Sequence, residues 1–408
     1  MRMFNHTPIV ITGMGAVTAL GVGVEEYWTK LSAGVCGIRE ITGMDTSGLP
    51  VHRAAEVVSE FNPKDYMPNP LVLDMEPFAR YAYAAACQAV EQSGLDTHSD
   101  RVGVVMGTAL HGLGYLARVQ KEFDETGRRA DPKYLTKYMG NIAAAQFAIR
   151  HGVRGPSLTV STACSTGGDA VNLAAMLLET GRADAVVVMA GEAAVCHGFI
   201  ESLSKAHALS LKGESRPFCA DRDGFVIGEG GGALVLETEE HAKIRGVAIQ
   251  ARLLGCADNN DAHHPVSPNP EGTAVAECIR LALKSAGLTP EQVGYVNAHG
   301  TATIKGDQAE ARALRKVFGD YNPAVPVSST KGATGHMMAA GGITEVIACV
   351  KAIQTGVLPP NLGLTQQDPE CDGLNLVTME NRNQSVSVAI SDAMGFGGQN
   401  SCVVVGRA

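Results

Sequence analysis

Apolar and polar positions along this chain fall into two alternating patterns. Unbroken apolar runs predict buried strands at Pro8 to Thr12, Val102 to Thr108, Leu158 to Val160, Ala183 to Gly191 and Gly231 to Glu237. A strand covered on both faces needs such runs, without polar alternation. Helical spacing of apolar residues predicts helices over Glu25 to Ala33, Met75 to Ser93 and Asp169 to Leu178, with a short one from Glu239 to Ile244. The second half repeats the rhythm. Strand signals at Ala248 to Leu254, Val293 to Asn297, Val386 to Ile390 and Ser401 to Val405 are interleaved with helices over Thr273 to Ala286, Gln308 to Phe318 and Gly341 to Ile353. The alternation predicts an α/β protein with mixed, mostly buried sheets. Residues 121–139 are polar and predict an exposed insertion. No low-complexity linker divides the halves, and no strong internal repeat is visible.

Composition narrows the picture only a little. The 408 residues allow one large or two medium domains, and 45% hydrophobic with 18% charged residues is ordinary for a soluble globular protein. A net charge of -9 with no basic stripe argues against a nucleic-acid partner. The ten Cys are scattered, without paired metal-ligand spacing, which suits reduced thiols and a cytoplasmic location. The first apolar run is too short for a signal peptide and no run reaches membrane-spanning length, so no membrane association is expected. Near the start, Gly13-Met14-Gly15 reads as the turn ending the first strand. A dinucleotide fingerprint is not completed there, because position 18 is Thr.

Chemistry concentrates in one stretch, Val160-Ser161-Thr162-Ala163-Cys164-Ser165-Thr166-Gly167-Gly168, which passes from a strand signal into a helical one. At such a junction free N–H groups and the helix dipole lower a thiol's pKa, making Cys164 the candidate nucleophile. Three short polar motifs follow, each ending an apolar run: Asn297-Ala298-His299-Gly300-Thr301-Ala302-Thr303, Ser329-Thr330-Lys331-Gly332-Ala333-Thr334-Gly335-His336, and Met394-Gly395-Phe396-Gly397-Gly398-Gln399-Asn400. One Cys with two distant His in Gly/Thr-rich turns is the pattern of a site assembled by the fold. The adjacent His263 and His264 have no Cys or acidic cluster at ligand spacing, so no metal site is expected.

In order and spacing, these four motifs resemble those of the β-ketoacyl-acyl-carrier-protein synthases, the Cys-His-His condensing enzymes of the synthase I/II type and their type II polyketide relatives. Ile11-Thr12-Gly13-Met14-Gly15, Arg216-Pro217-Phe218 and Arg222-Asp223-Gly224-Phe225 extend the likeness over the whole chain. The resemblance implies a thiolase-like fold of two similar α/β halves, with mixed sheets packed in layers with helices. It places an N-terminal half at 1–250 carrying the nucleophile, and a C-terminal half at 251–408 carrying both His and the Lys, with the site where they meet.

The implied reaction is a decarboxylative Claisen condensation. Cys164 takes the acyl group from a carrier-protein thioester, and malonyl-carrier protein then loses carbon dioxide and attacks it, elongating a fatty acyl chain by two carbons. By the same resemblance the backbone N–H groups of Cys164 and Phe396 hold the oxyanion, and Gly397 lets the backbone approach. His299 and His336 polarise the malonyl thioester, Thr301 and Thr303 hold the pantetheine arm, and Lys331 organises the charge beside His336 with Glu345 as its partner. Leu110, Leu203 and Phe225 line or flank the acyl pocket, Phe396 gates it, and Lys64, Arg128 and Arg129 are the basic candidates for docking an acidic acyl carrier protein. A homodimer is implied, and no cofactor, the phosphopantetheine arriving on the carrier.

Departures from the family pattern are Cys219 for Asp, Gly332 for Ser, Gln399 for Thr and His207 for Arg. None removes a catalytic group, but they keep open a ketosynthase of a specialised polyketide or polyene pathway. A non-catalytic chain-length partner subunit would lack the nucleophile that Cys164 supplies. A thiolase would need a second catalytic Cys in a Cys-Gly turn, whereas Cys402 lies in a predicted strand. A Cys hydrolase would leave the second His and the Lys without a role.

Overall fold

Eleven strands form the spine of the molecule, which a computed structural model describes over residues 7–128, 131–319 and 325–408. In chain order they are β1 (Ile9–Thr18), β2 (Val102–Gly107), β3 (Ser157–Val160), β4 (Ala185–Glu192), β5 (Gly230–Thr238), β6 (Ala251–Asn260), β7 (Tyr295–Asn297), β8 (Pro326–Ser328), β9 (Asn375–Leu376), β10 (Val388–Met394) and β11 (Gln399–Gly406). They lie side by side as β9-β8-β7-β10-β11-β6-β1-β5-β4-β2-β3. The first five run 3-2-4-5-1 from the edge inward, and β8, β7, β10, β11 and β6 repeat that order inside the edge strand β9. The pairing senses repeat as well: two antiparallel contacts next to the centre, then two parallel ones. At the centre β1 and β6 pair antiparallel over three residues, so the two halves share one mixed sheet.

Helices cover this sheet because its strands are apolar on both faces. The principal ones are α1 (Pro77–Ser93), α2 (Thr166–Glu179), α3 (His197–Lys205), α4 (Thr273–Ser285), α5 (Ile304–Phe318) and α6 (Met338–Thr355). α1 packs on β1, β4 and β5; α4 packs on β6, β11 and α5. α2 and α6 pack against each other and against strands of both halves, forming the middle of five layers. α6 is buried on nearly every side, from Met338 to Ile353. It carries Ile343, Val346, Ile347 and Val350 into the core that also holds Val171, Leu234 and Val403.

The first strand differs from expectation. It does not end at Gly13-Met14-Gly15 but runs on to Thr18, fully buried. The glycines serve helix packing: a Cβ on Gly13 would sit 2.0 Å from the carbonyl oxygen of Ala89, and one on Gly15 equally close to that of Ala85. α1 meets them with alanines, and its Gln88 and Gln92 side chains accept from the N–H groups of Ala16 and Met14 at 2.9 and 2.7 Å. The described residues of the insertion, 121–128 and 131–139, are mostly exposed as expected, though partly helical over Leu113–Thr126 and Tyr134–Tyr138.

Candidate active site

Cys164 sits in a single 3-10 turn, Ala163–Ser165, between β3 and the first residue of α2. Ala163 adopts φ 52, a left-handed conformation costly for a residue with a Cβ. Local hydrogen bonds hold the elbow there: Thr166 Oγ1 donates to Ala163 O at 2.6 Å, Thr162 N donates to Thr166 Oγ1 at 2.8 Å, and Thr162 and Ser165 hydroxyls donate to Asp169. The opposite side of the site comes from the second half of the chain. His299 and Thr301 follow β7, Lys331 and His336 follow β8, and Phe396 lies in the turn between β10 and β11.

These groups converge. Cys164 Sγ lies 3.0 Å from His336 Nε2, and the thiol and imidazole atoms of Cys164, His299 and His336 all fall within 4.8 Å of one another. The Phe396 N–H also donates to the sulfur. Gly395 makes that contact feasible, since a Cβ there would stand 2.7 Å from Thr162 O. The His336 and His299 rings meet edge to face at 5.5 Å, and Phe225 packs edge-on against His336 at 5.2 Å. Lys331 Nζ donates to Glu345 at 2.5 Å, both side chains being nearly inaccessible. Thr301 and Thr303 hydroxyls lie 3.0 Å apart.

Electrostatics assign the resting protonation. Burial and then the Lys331 charge push both imidazoles well below the ordinary histidine range, so both are neutral near pH 7. The backbone N–H of Met338 donates to His336 Nδ1 at 3.3 Å, which leaves the His336 proton on Nε2, aimed at the sulfur. Against expectation the thiol is not acidified. Burial pushes Cys164 up to about 11, outweighing Lys331 and the Phe396 N–H. The elbow supplies donors to a thiolate once it forms but does not hold one at rest.

A cavity of about 610 Å³ opens at Cys164. Leu110, Leu203 and Phe225 line its apolar part, Thr301 and Thr303 its polar approach, and Phe396, 42% exposed, its mouth. Other expected residues fall elsewhere. Gly397 lies outside the lining; its N–H donates to Pro265 O at 2.7 Å, which ties the Phe396 turn to the loop at 261–268. Lys64 is exposed in the turn Pro63–Asp65, Arg128 is paired with Glu122, and neither lines the cavity. Arg129 lies outside the described residues. The lysine that does line the cavity is Lys305, at the start of α5. His264 also lines it, its Nδ1 accepting from Val266 and Ser267 N–H groups. Sequence reasoning also missed Glu310, which accepts from the His299 and Gly300 N–H groups at 2.6 and 2.8 Å, and Asp392 beside it.

A thiol paired with a neutral imidazole N–H, a second imidazole in reach and an apolar cavity leading away from them define a cysteine-dependent acyltransferase. Comparison with known proteins takes this further. The β-ketoacyl synthase N-terminal domain matches residues 6–242 and the C-terminal domain residues 250–365, and the chain belongs to the β-ketoacyl synthase family. It is 36% identical over 408 residues to 3-oxoacyl-[acyl-carrier-protein] synthase 2 of Coxiella burnetii, covering 98% of each chain. Among solved structures, the ishigamide ketosynthase/chain length factor superposes with TM-score 0.92 at 32% identity, covering 99% of this chain and 100% of that one. A type II polyketide ketosynthase bound to its acyl-carrier protein and a hexaketide (AntDE:AntF) superposes with TM-score 0.89 at 29% identity, with coverage of 99% and 100%. Both confirm the thiolase-like layered fold.

Proposed function

We infer that each motif serves one step of a decarboxylative condensation. The chain is a β-ketoacyl-acyl-carrier-protein synthase of the synthase 2 kind, an acyltransferase that extends a cysteine-bound acyl group by two carbons from malonyl-carrier protein, with acyl carrier protein as its partner. The observation that carries the residue assignment is Cys164 Sγ at 3.0 Å from the protonated Nε2 of His336, with the Phe396 N–H on the same sulfur.

In the first step the sulfur attacks the acyl thioester carbonyl. The Cys164 and Phe396 N–H groups hold the oxyanion, the bond to pantetheine sulfur breaks, and the proton lost by Cys164 ends on the departing pantetheine thiol. In the second, malonyl thioester loses carbon dioxide, and the electron pair of the broken C–C bond becomes an enolate. Its oxygen accepts from His299 and His336, whose neutrality leaves each an N–H donor of modest acidity. In the third, the enolate carbon attacks the acyl-Cys164 carbonyl, the C–S bond breaks, and the departing Cys164 sulfur takes up a proton from water, which restores the resting thiol. Thr301 and Thr303 hold the pantetheine arm, while Leu110, Leu203 and Phe225 receive the acyl chain. Lys331, held by Glu345, supplies the positive potential that favours the thiolate. No step calls on a metal or a resident cofactor.

On this reading residues 1–250 supply the nucleophile and 251–408 the imidazoles and ammonium. The protein is a cytoplasmic homodimer: all ten cysteines are free thiols, and no helix among the described residues is long and apolar enough to cross a membrane. The dimer is supported by β3, an edge strand paired on one side only, with Ser157, Leu158 and Thr159 exposed. Incubation with acyl- and malonyl-carrier protein tests the reaction. A β-ketoacyl-carrier product and an acyl adduct on Cys164 are expected; carbon dioxide release without either product would refute it. The chain length that gives the most adduct separates fatty-acid from polyketide or polyene substrates.

A further inference from the structure

Glu192 ends β4 with its side chain fully buried, and the reaction described above gives it no task. Four donors converge on its carboxylate. Thr108 Oγ1 donates at 3.3 Å, Ala109 N at 2.9 Å and Leu110 N at 3.1 Å. The fourth is the N–H of Ala339. The first three belong to the turn that follows β2, and the fourth to the first turn of α6, three residues beyond His336. A carboxylate offers about four acceptor positions, so this one is saturated.

The two turns so joined are both walls of the cavity. Ala109 and Leu110 line it on one side and Met338 on the other, Met338 lying with its sulfur 3.9 Å from Cys164 Sγ. Each turn is also held in a conformation it would not adopt unaided: His111 has φ 53 and Met338 φ 47. The His111 N–H in turn bonds to Thr108 Oγ1 at 3.2 Å, so the Thr108 hydroxyl links that strained residue to the carboxylate. The Glu192 charge also opposes thiolate formation at Cys164, acting against Lys331.

We infer that Glu192 is a positioning residue that sets acyl-chain selectivity, fixing Leu110 as the wall of the cavity and locking that wall to the His336 turn. The substrate in this statement rests on the ketosynthase reading; the hydrogen-bond geometry does not. A glutamine at this position keeps the shape but offers one acceptor oxygen and brings an NH₂ group against N–H donors. Leu110 would then lose its fixed place.

The test uses the full chain as wild type, Glu192→Gln, Leu110→Ala and Thr108→Val, with S-acyl-pantetheine thioesters of four, eight and twelve carbons as donors. Acyl-adduct formation on Cys164 is followed by intact-mass spectrometry, and alkylation of Cys164 by iodoacetamide is measured at mildly alkaline pH. In Glu192→Gln the long-to-short rate ratio is expected to change about fivefold, in the same direction as in Leu110→Ala. Alkylation is expected to rise about threefold in Glu192→Gln, because that substitution removes a negative charge that opposes the thiolate. A folded Glu192→Gln protein with unchanged ratio and unchanged alkylation overturns the proposal. Should that variant not fold, Thr108→Val decides: a ratio shift of about twofold supports the proposal and an unchanged ratio sinks it. If wild type accepts none of the thioesters, the ketosynthase reading has failed. The alkylation arm then judges Glu192 alone, with no rise counting against it.

Discussion

The Lys331–Glu345 pair offers a measurement in which the sign of each result is fixed beforehand. The two groups lie 2.5 Å apart with side-chain exposures of 2% and 4%, so water screens them little. Removing one partner leaves a buried charge without its counter-ion, at a cost of about 3–5 kcal/mol. Replacing both by apolar residues of similar volume removes the desolvation penalty along with the attraction. Unfolding entropy of about 2.1 cal/mol/K per residue gives roughly 0.86 kcal/mol/K over 408 residues, so a loss of ~4 kcal/mol lowers Tm by about 5 °C. Lys331→Met and Glu345→Leu should each show that drop in calorimetry, and the double variant should melt no lower than either single one. That corresponds to a coupling energy of about 4 kcal/mol. Thiol reactivity supplies an independent check. Lys331 favours the Cys164 thiolate and Glu345 opposes it, so alkylation of Cys164 at neutral pH should slow in Lys331→Met and quicken in Glu345→Leu. A double variant whose Tm loss equals the sum of the two single losses would refute the pairing argument, and alkylation moving the same way in both single variants would refute the electrostatic one.

Cys164→Ala should form no acyl adduct yet still release carbon dioxide from malonyl-carrier protein, and His299→Ala should lose that release by about 10²-fold or more; equal loss of both activities in the Cys variant contradicts the division of roles. Because the Cys164 thiol is pushed up to about 11, its alkylation in the free protein should climb about tenfold per pH unit from pH 7 to 10, and a plateau already reached at pH 8 would show a thiolate at rest. Gly15→Ala would place a Cβ 2.0 Å from the Ala85 carbonyl oxygen, and a loss of at least ~1–3 kcal/mol is expected in a melting experiment; an unchanged Tm would show that α1 gives way without cost. If the proposed homodimer forms through the free edge of β3, Leu158→Asp should lower the sedimentation coefficient from the dimer to the monomer value, and an unaltered coefficient would count against that contact.

The sequence made the site far more legible than its energetics. Cys164, His299, His336, Lys331 and Phe396 were readable because each sits in a short polar motif where an apolar run stops, and such stops are where strands deliver side chains to a common edge. The repeat of the two halves was not readable, because what repeats is strand order and burial, which different apolar residues satisfy equally. Gly13 and Gly15 looked like a turn because a glycine inside a strand and one in a turn leave the same mark on the sequence; only the approach of α1 tells them apart. Glu192, Glu310 and Asp392 were passed over for a similar reason. Each is a carboxylate buried by the fold rather than marked by its sequence neighbours: Glu192 and Glu310 receive N–H groups from other segments, and Asp392 packs beside Glu310. The direction of the thiol's shift depended on how deeply the elbow is buried, which local sequence does not report. Lys64, Arg128 and Arg129 stood out in the sequence by charge alone, which carries no position; the lysine that lines the cavity is Lys305.

The order in which the chain presents its parts has a consequence for the cell. Phe396 is synthesised 232 residues after Cys164, and β11, which closes the second half, comes last of all. At about 5–20 residues per second, roughly 10–50 s separate the emergence of Cys164 from that of Phe396, whose N–H meets its sulfur, and from the final surroundings of both imidazoles. β1 gains β6 only when residue 260 has been made and α2 gains α6 only at residue 355, so for much of that interval the elbow around Ala163 has no second wall to hold it. A nascent chain therefore carries an ordinary, unassisted thiol until Phe396 and β11 have been made.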